Sequence, residues 1–387
     1  MSFSRRIAVC VTNIFFATSA IAESDNSVAF DLASEAGYID NFLYQAKSEQ
    51  STAYLTLASD LSLSLKSQQS AFDFDAKLAS HFFTQFEDDD HTEFTLIPKY
   101  QFKFSQNQLL YMSAVWLNSY VYRGTGISIG EAETLFKGDE KDNKGATIGY
   151  EYGTFESQGK LNVEVSYHEN KFTTRRASTG QLDTEILNVK SSFDYLLSEK
   201  TYLAFDLDYK QSEHPNNAII NRDSIAGLVG IKWFTTVISE LNFLIGYQQL
   251  TFDDSQLNDT KAFKWRFDYI WRPSDFTQVH IMSNRKFDES YRLTSNYRLA
   301  KNHQIDLTHA FTEFWSISTS VGVKNEKFIN SQFVQNEDYL FSILTLGYQH
   351  SDRVSVQLGY HYRSLESKNE EVDYLQNRLS LKVKVKL

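Results

Sequence analysis

Residues 261–272, KAFKWRFDYIWR, decide the fold. A strand sends successive side chains to opposite faces, so Phe263, Trp265, Phe267, Tyr269 and Trp271 share one side. Lys264, Arg266, Asp268 and Arg272 share the other. A water-soluble sandwich would bury the aromatic face in a dry core. The same alternation recurs over stretch after stretch, in a chain that is 42% hydrophobic and 22% charged. One dry core cannot absorb so many apolar faces. A closed antiparallel transmembrane β-barrel can, because its apolar side chains meet lipid and its polar ones meet a wet lumen.

The N-terminus reads as a secretory leader over residues 1–22. Arg5 and Arg6 precede an apolar segment at 7–19, and Ala20-Ile21-Ala22 offers small residues for cleavage. The only cysteine, Cys10, falls inside this leader, so the remaining chain, 23–387, has neither disulfides nor thiolate metal sites. The formal charge of −11 argues against a nucleic-acid partner. No later stretch is long and apolar enough for a membrane helix. Spans must therefore be strands, and a leader with strand-built spans points to the outer membrane of a Gram-negative bacterium.

Short turn-forming gaps recur near 66–70, 105–108, 156–159, 197–200, 235–239, 273–275, 312–314 and 350–353. Longer, charged segments alternate with them, the longest being 122–144. Short turns at one rim and long loops at the other are the asymmetry of outer-membrane barrels. Eight turns and nine loop-side connections join about eighteen strands, with sixteen as the fallback. The sixth strand is expected at 145–155 and the last at 372–387. Two places resist. Residues 291–311 are long for one strand after a tight hairpin at Asp288–Ser290, and Pro98 predicts a bulge or an early strand end.

Candidate chemistry is sparse. The inward pairs Asp73 with Asp75, and Asp206 with Asp208, could in principle act as acid and base, but a solvated pore wall explains them more simply. None of the nine histidines shows a metal-binding spacing, so no metal, cofactor or catalytic residue is assigned. The acid run Glu87-Asp88-Asp89-Asp90 could hold Ca²⁺ or Mg²⁺ and through it lipopolysaccharide phosphates; a hydrated loop is the plainer reading. Lys264, Arg266, Arg292, Arg298, Arg378, Lys382, Lys384 and Lys386 join the carboxylates as lumen-lining candidates. Basic residues crowd the C-terminal half and acidic ones the earlier strands. Walls of opposite sign would set a field across the pore, whereas internal ion pairs would partly close it. Tyr150, Tyr152, Tyr167, Tyr209, Trp271, Tyr291 and Tyr360 are expected in interfacial girdles on the outer wall. Tyr54 is a candidate inward aromatic.

The segment Gly37-Tyr38-Ile39-Asp40-Asn41-Phe42-Leu43-Tyr44 resembles the G-Y-x-D-N signature of the outer-membrane β-barrel porins encoded with exopolysaccharide operons, the EpsL-like proteins. A long strand ending His309-Ala310-Phe311-Thr312 and the final alternating strand are also similar to that family. Leu387 stands where the family ends on an aromatic residue, and Thr312-Glu313-Phe314 where it has a proline-containing turn. The resemblance implies a non-enzymatic barrel that helps export a capsule, slime or biofilm polysaccharide, alongside periplasmic export proteins. The alternative is a general or oligosaccharide-selective diffusion porin. Expected partners are outer-membrane lipid, lipopolysaccharide and the barrel-insertion machinery. Loop 122–144 is the candidate constriction.

Overall fold

The computed structural model describes residues 26–154, 157–236, 238–330, 332–368 and 370–387. The expected leader, with Cys10, lies outside them. Strands β1 (Ser27–Ile39), β2 (Thr52–Lys66), β3 (Ser70–Phe83), β4 (His91–Ser105), β5 (Gln108–Val121) and β6 (Asp139–Tyr152) come first. Next are β7 (Gly159–Phe172), β8 (Thr184–Ser198), β9 (Thr201–Glu213), β10 (Arg222–Thr236), β11 (Ser239–Phe252) and β12 (Thr260–Ser274). The last six are β13 (Thr277–Asp288), β14 (Tyr297–Ala310), β15 (Trp315–Ile329), β16 (Val334–Gln349), β17 (Val354–Ser367) and β18 (Tyr374–Lys386). Each pairs antiparallel with its neighbours in sequence, and β1 pairs with β18 from Asp31 opposite Lys386 to Ile39 opposite Arg378. The sheet is thus a closed eighteen-stranded barrel with no free edge, the requirement for strands in lipid.

Connections after even-numbered strands are short, down to Gln106-Asn107, and define a turn rim. Connections after odd-numbered strands include 40–51, 122–138 and 173–183 and define a loop rim. The outer parity of each strand carries the apolar belt. Phe263 and Trp271 on β12, Val165 and Tyr167 on β7, and Leu379 and Leu381 on β18 are all exposed there. Register also gives the outer parity to Tyr150, Tyr152, Tyr209 and Tyr360.

Four expectations need correction. The tight hairpin at Asp288–Ser290 is an eight-residue loop, 289–296, and β14 begins only at Tyr297. That resolves the overlong stretch. Strand β6 begins at Asp139, so the long loop is 122–138. Pro98 causes no bulge and does not end its strand. Pairing to β5 skips from Leu96 opposite Trp116 to Lys99 opposite Ser113 in unchanged register, while β3 still pairs Phe74 with Pro98. One intact ladder carries the strand past the missing N–H. Finally, Tyr291 is not in an outer girdle; it belongs to loop 289–296, which turns inward.

The barrel turns sharply between β9 and β12. Asp206 and Asp208 on β9 reach Arg266 and Lys264 on β12 across the two strands between, the lysine at 2.8 Å. The concave face of so tight a bend has little room. Ala204, Ala226, Leu228 and Leu244 fill it, all buried. A Cβ on Gly246 would lie 1.8 Å from the Gly227 carbonyl oxygen, and one on Gly230 equally close to that of Phe243. Any side chain there forces β10 and β11 apart. Gly246→Val should cost about 1–3 kcal/mol of barrel stability, read as a lower midpoint in urea unfolding of the detergent-folded chain. An unchanged midpoint would refute the corner.

Candidate functional site

The inner wall is assembled by strand parity. Asp73 and Asp75 both face inward on β3; Asp75 accepts from Ser62 Oγ at 2.8 Å and lies 3.6 Å from Lys99 Nζ. Arg378 pairs with Glu35 and donates to Tyr54 Oη at 2.5 Å, with its guanidinium 4.5 Å from the Tyr54 ring. The inward aromatic Tyr54 is therefore engaged by the wall itself. Lys384 reaches Asp31 at 2.6 Å, and Lys382 and Lys386 share its face by register. The two signs are thus not segregated into opposing walls. Acids and bases interleave instead: Asp75 meets Lys99, Glu35 meets Arg378 and Asp31 meets Lys384 on adjacent strands, while Asp206 and Asp208 reach Arg266 and Lys264 further round.

Arg292 does not line a strand. It belongs to loop 289–296, which the β13–β14 hairpin carries into the lumen. Pairing of β12 with β13 stops at Trp265 opposite Arg285, yet β13 and β14 stay paired up to Asp288 opposite Arg298. Above that point the hairpin parts from β12, while β14 stays paired with β15 as far as Tyr297 opposite Ile329. Phe287, Tyr297 and Leu299 then bury against Leu250, Phe252 and Ala262, which face inward on β11 and β12. The Phe287 N–H donates to Gln248 Oε1 at 3.0 Å.

Glu289, the first residue of the loop, enters a basic nest at the loop-side ends of β9 and β10. Lys210 Nζ donates to it at 2.6 Å, Ser212 Oγ at 2.8 Å, Arg222 pairs with it and His214 Nε2 lies 3.4 Å away. On the other flank, Glu326 and Glu337 face each other in register between β15 and β16, both fully buried. Two such carboxylates repel unless neutralised. Arg298 and Lys324 meet Glu326, and the loop's Arg292 meets Glu337. The inward course of the loop is therefore specified electrostatically from both sides.

Loop 122–138 makes the second inward fold. Tyr122 and Ala132 pack with Phe42, Leu43, Phe83 and Phe86 near β1–β3, while Ile129 packs with Leu365, Val372 and Tyr374 at β17–β18. Tyr339 on β16 joins this second cluster and hydrogen-bonds Tyr291 of the hairpin loop at 3.0 Å. The two folds are linked through Tyr339. Two members of the acid run, Asp89 and Asp90, are part of the same construction. Asp89 is fully buried and held by Arg123, Tyr120 Oη at 2.7 Å and the Gly138 N–H at 3.0 Å. Asp90 accepts from the Phe83 N–H at 2.8 Å. Sequence reading missed Glu289, Glu326, Glu337, Arg123 and Arg222 because their arginine or carboxylate partners sit far along the chain. The signal was present only as single charges inside or beside strands.

Burial pushes the Glu289 carboxyl up, but Arg222, Lys210 and His214 outweigh it and hold it well below the ordinary range. A carboxyl lowered by folding stabilises above its unfolded value, about 4.3, and that contribution is lost only as pH falls through the depressed one. The latch should hold from pH 7 to about 5 and release in stronger acid. Hydrogen exchange of 289–296 should thus be flat, after correction for intrinsic rate, across that interval. Glu289→Gln should release the loop at neutral pH, at a cost of roughly 3 kcal/mol. Protection of 289–296 equal in the variant and the native chain would refute the latch.

A family model described as Putative beta-barrel porin 2 matches residues 29–387. No curated protein matches the sequence. Among solved structures the chain is similar to the FrpB iron transporter of Neisseria meningitidis, with TM-score 0.47 and 10% identity over 88% of this chain. It spans 62% of that transporter's length. The siderophore receptor PirA of Acinetobacter baumannii gives TM-score 0.50 at 5% identity, covering 94% of this chain and 81% of that one. OpdO of Pseudomonas aeruginosa gives 0.48 at 12%, covering 93% and 97%. At these identities the likeness concerns the fold. With the family match running over almost the whole closed barrel, the chain belongs to that family of β-barrel porins.

Proposed function

We propose that the protein is an outer-membrane channel for hydrophilic solutes, with the loop rim outside the cell and narrowed by the two linked inward folds. The observation that carries this is the contrast within the lumen. At the loop rim the inward side chains Asn41, Phe83, Arg222, Glu326, Glu337 and Leu365 are buried, whereas lower down Asp73, Asp75, Lys99, Lys382 and Lys386 keep solvent contact. A wet, charged wall below a packed mouth suits passage of polar, hydroxyl-rich molecules and opposes apolar ones. A barrel of this strand number is wide enough for an aqueous path where side chains and loops leave it open.

Export of an exopolysaccharide is the second reading, supported by the G-Y-x-D-N resemblance at Gly37–Asn41. It shares the barrel and its wall but reverses the direction of transport.

Planar-bilayer recordings test the channel. The native chain should conduct weakly, and replacing 126–136 with a short Gly-Ser linker should raise single-channel conductance at least about twofold. No conductance in either form would sink the proposal. Deleting the gene in its host separates the readings. Loss of surface polysaccharide with periplasmic accumulation favours export, while unchanged polysaccharide with slowed uptake of a small solute favours the diffusion porin.

A further inference from the structure

Three side chains at the loop rim converge without being used by anything described above. His81 on β3 stands directly opposite His91 on β4, with ring centroids 4.6 Å apart, and Glu93 follows two residues on along the inner face of β4. The ligating atoms of these three residues all lie within 4.8 Å of one another. We propose that His81, His91 and Glu93 form a binding site for a divalent transition-metal ion of the Zn²⁺ class, which pins loop 122–138 in its inward position.

The arrangement has the parts such a site needs. The His91 Nδ1–H donates to the Asp89 carbonyl at 2.7 Å, which leaves the lone pair on Nε2. Thr56 Oγ1 holds His81 Nδ1 at 3.0 Å in the same manner. Both Nε2 atoms are buried and, among the described residues, have no hydrogen-bond partner. One Glu93 oxygen accepts the Tyr120 N–H at 2.7 Å, and the other lies 3.6 Å from His81 Nε2. The imidazoles cannot swing away easily. Tyr120 stacks on His91 at 3.9 Å, and Tyr122 meets it edge-on at 5.5 Å. Two neutral imidazoles and a carboxylate with an open fourth position suit Zn²⁺ and its neighbours rather than Ca²⁺ or Mg²⁺, which prefer oxygen alone.

The coupling to the loop runs through one residue. The Asp89 carbonyl orients His91, and the Asp89 carboxylate is held by Arg123 and the Gly138 N–H, both from the stretch that forms loop 122–138. An ion that fixes His91 also fixes Asp89, and with it both ends of the loop.

Zn²⁺ titration of the detergent-folded full chain, followed by calorimetry, tests the site. His81→Asn and Glu93→Gln should each weaken binding by at least about tenfold, while His350→Asn at the turn rim leaves it unchanged. Heat-modifiable gel mobility confirms that each variant is folded. Co²⁺ bound to the native chain should show the intense visible bands of a four- or five-coordinate site, a readout that needs no variant. Zn²⁺ should also slow hydrogen exchange in 122–138. Equal Zn²⁺ affinity in all three variants, or only the pale spectrum of aqueous Co²⁺, overturns the site. Tight binding with unaltered exchange in 122–138 overturns the pinning.

Discussion

Buried and half-buried carboxylates at the loop rim must be met by cations, here arginines, and the mouth of this barrel is arranged around that constraint. Asp89 meets Arg123, Asp139 meets Arg175, Asp183 meets Arg176, Glu289 meets Arg222, Glu326 meets Arg298, Glu337 meets Arg292 and Glu35 meets Arg378. A carboxylate taken from water without a partner costs several kcal/mol. Guanidinium suits these places because its planar fork satisfies two oxygens at once and sheds water more readily than ammonium. Most of these pairs join a loop to a strand, or one loop to another. Such pairs add little net stability against an apolar equivalent, but they permit few alternative arrangements. They account for the inward course of the loops better than the apolar clusters do, since apolar contacts are non-directional.

Lysine takes the complementary place. Lys99 with Asp75, Lys190 with Glu164, Lys264 with Asp208 and Lys384 with Asp31 line the wall below the mouth. Ammonium groups on flexible stems stay hydrated and exchange partners readily, so pairs of this kind are worth little in stability. In the proposed channel they would yield to a passing solute. The molecule therefore separates a rim held mainly by arginine from an adaptable wall lined mainly by lysine. The sharp corner at β9–β12 adds to this division, because it draws Arg266 to Asp206 across the lumen side of two strands and fills that part of the wall.

Strand number, order and facing were legible in the sequence because lipid imposes the alternation locally, residue by residue. Phe263 to Trp271 need no distant partner to be read as an outward face. Even the asymmetry of the two rims was visible in the lengths of the gaps. The β13–β14 hairpin was misread because its residues obey strand parity on both sides of the point where it parts from β12. Phe287 and Leu299 look lipid-facing in sequence, yet they bury against the inner face of β11 and β12. The rim pairs were illegible for another reason. Arg378 and Glu35 lie at opposite ends of the chain, and nothing near either predicts the other. His81 and His91 fall between these cases. They are partners across a hairpin with a seven-residue loop, 84–90, so pairing the strands about that loop would have brought them together.

The segment that carried the family resemblance has a physical role that bears on what the resemblance can imply. Asp40 accepts both the backbone N–H and the side-chain amide of Asn377, at 2.7 and 2.6 Å, where the first strand meets the last. Asn41 is fully buried beside them and donates to the Leu375 and Gln45 carbonyls. A side chain at Gly37 would strike the Leu379 carbonyl and the Tyr54 ring. The G-Y-x-D-N segment is thus the clasp of the barrel seam. The β1–β18 ladder is the longest-range pairing in the chain and the last that can complete closure, so side-chain bonds that fix its register have the most to contribute there. Any barrel of this build needs such a clasp whatever it carries. The motif accordingly speaks for closure, and under the proposed channel function the choice of solute would lie in the lysine- and aspartate-lined wall below the rim.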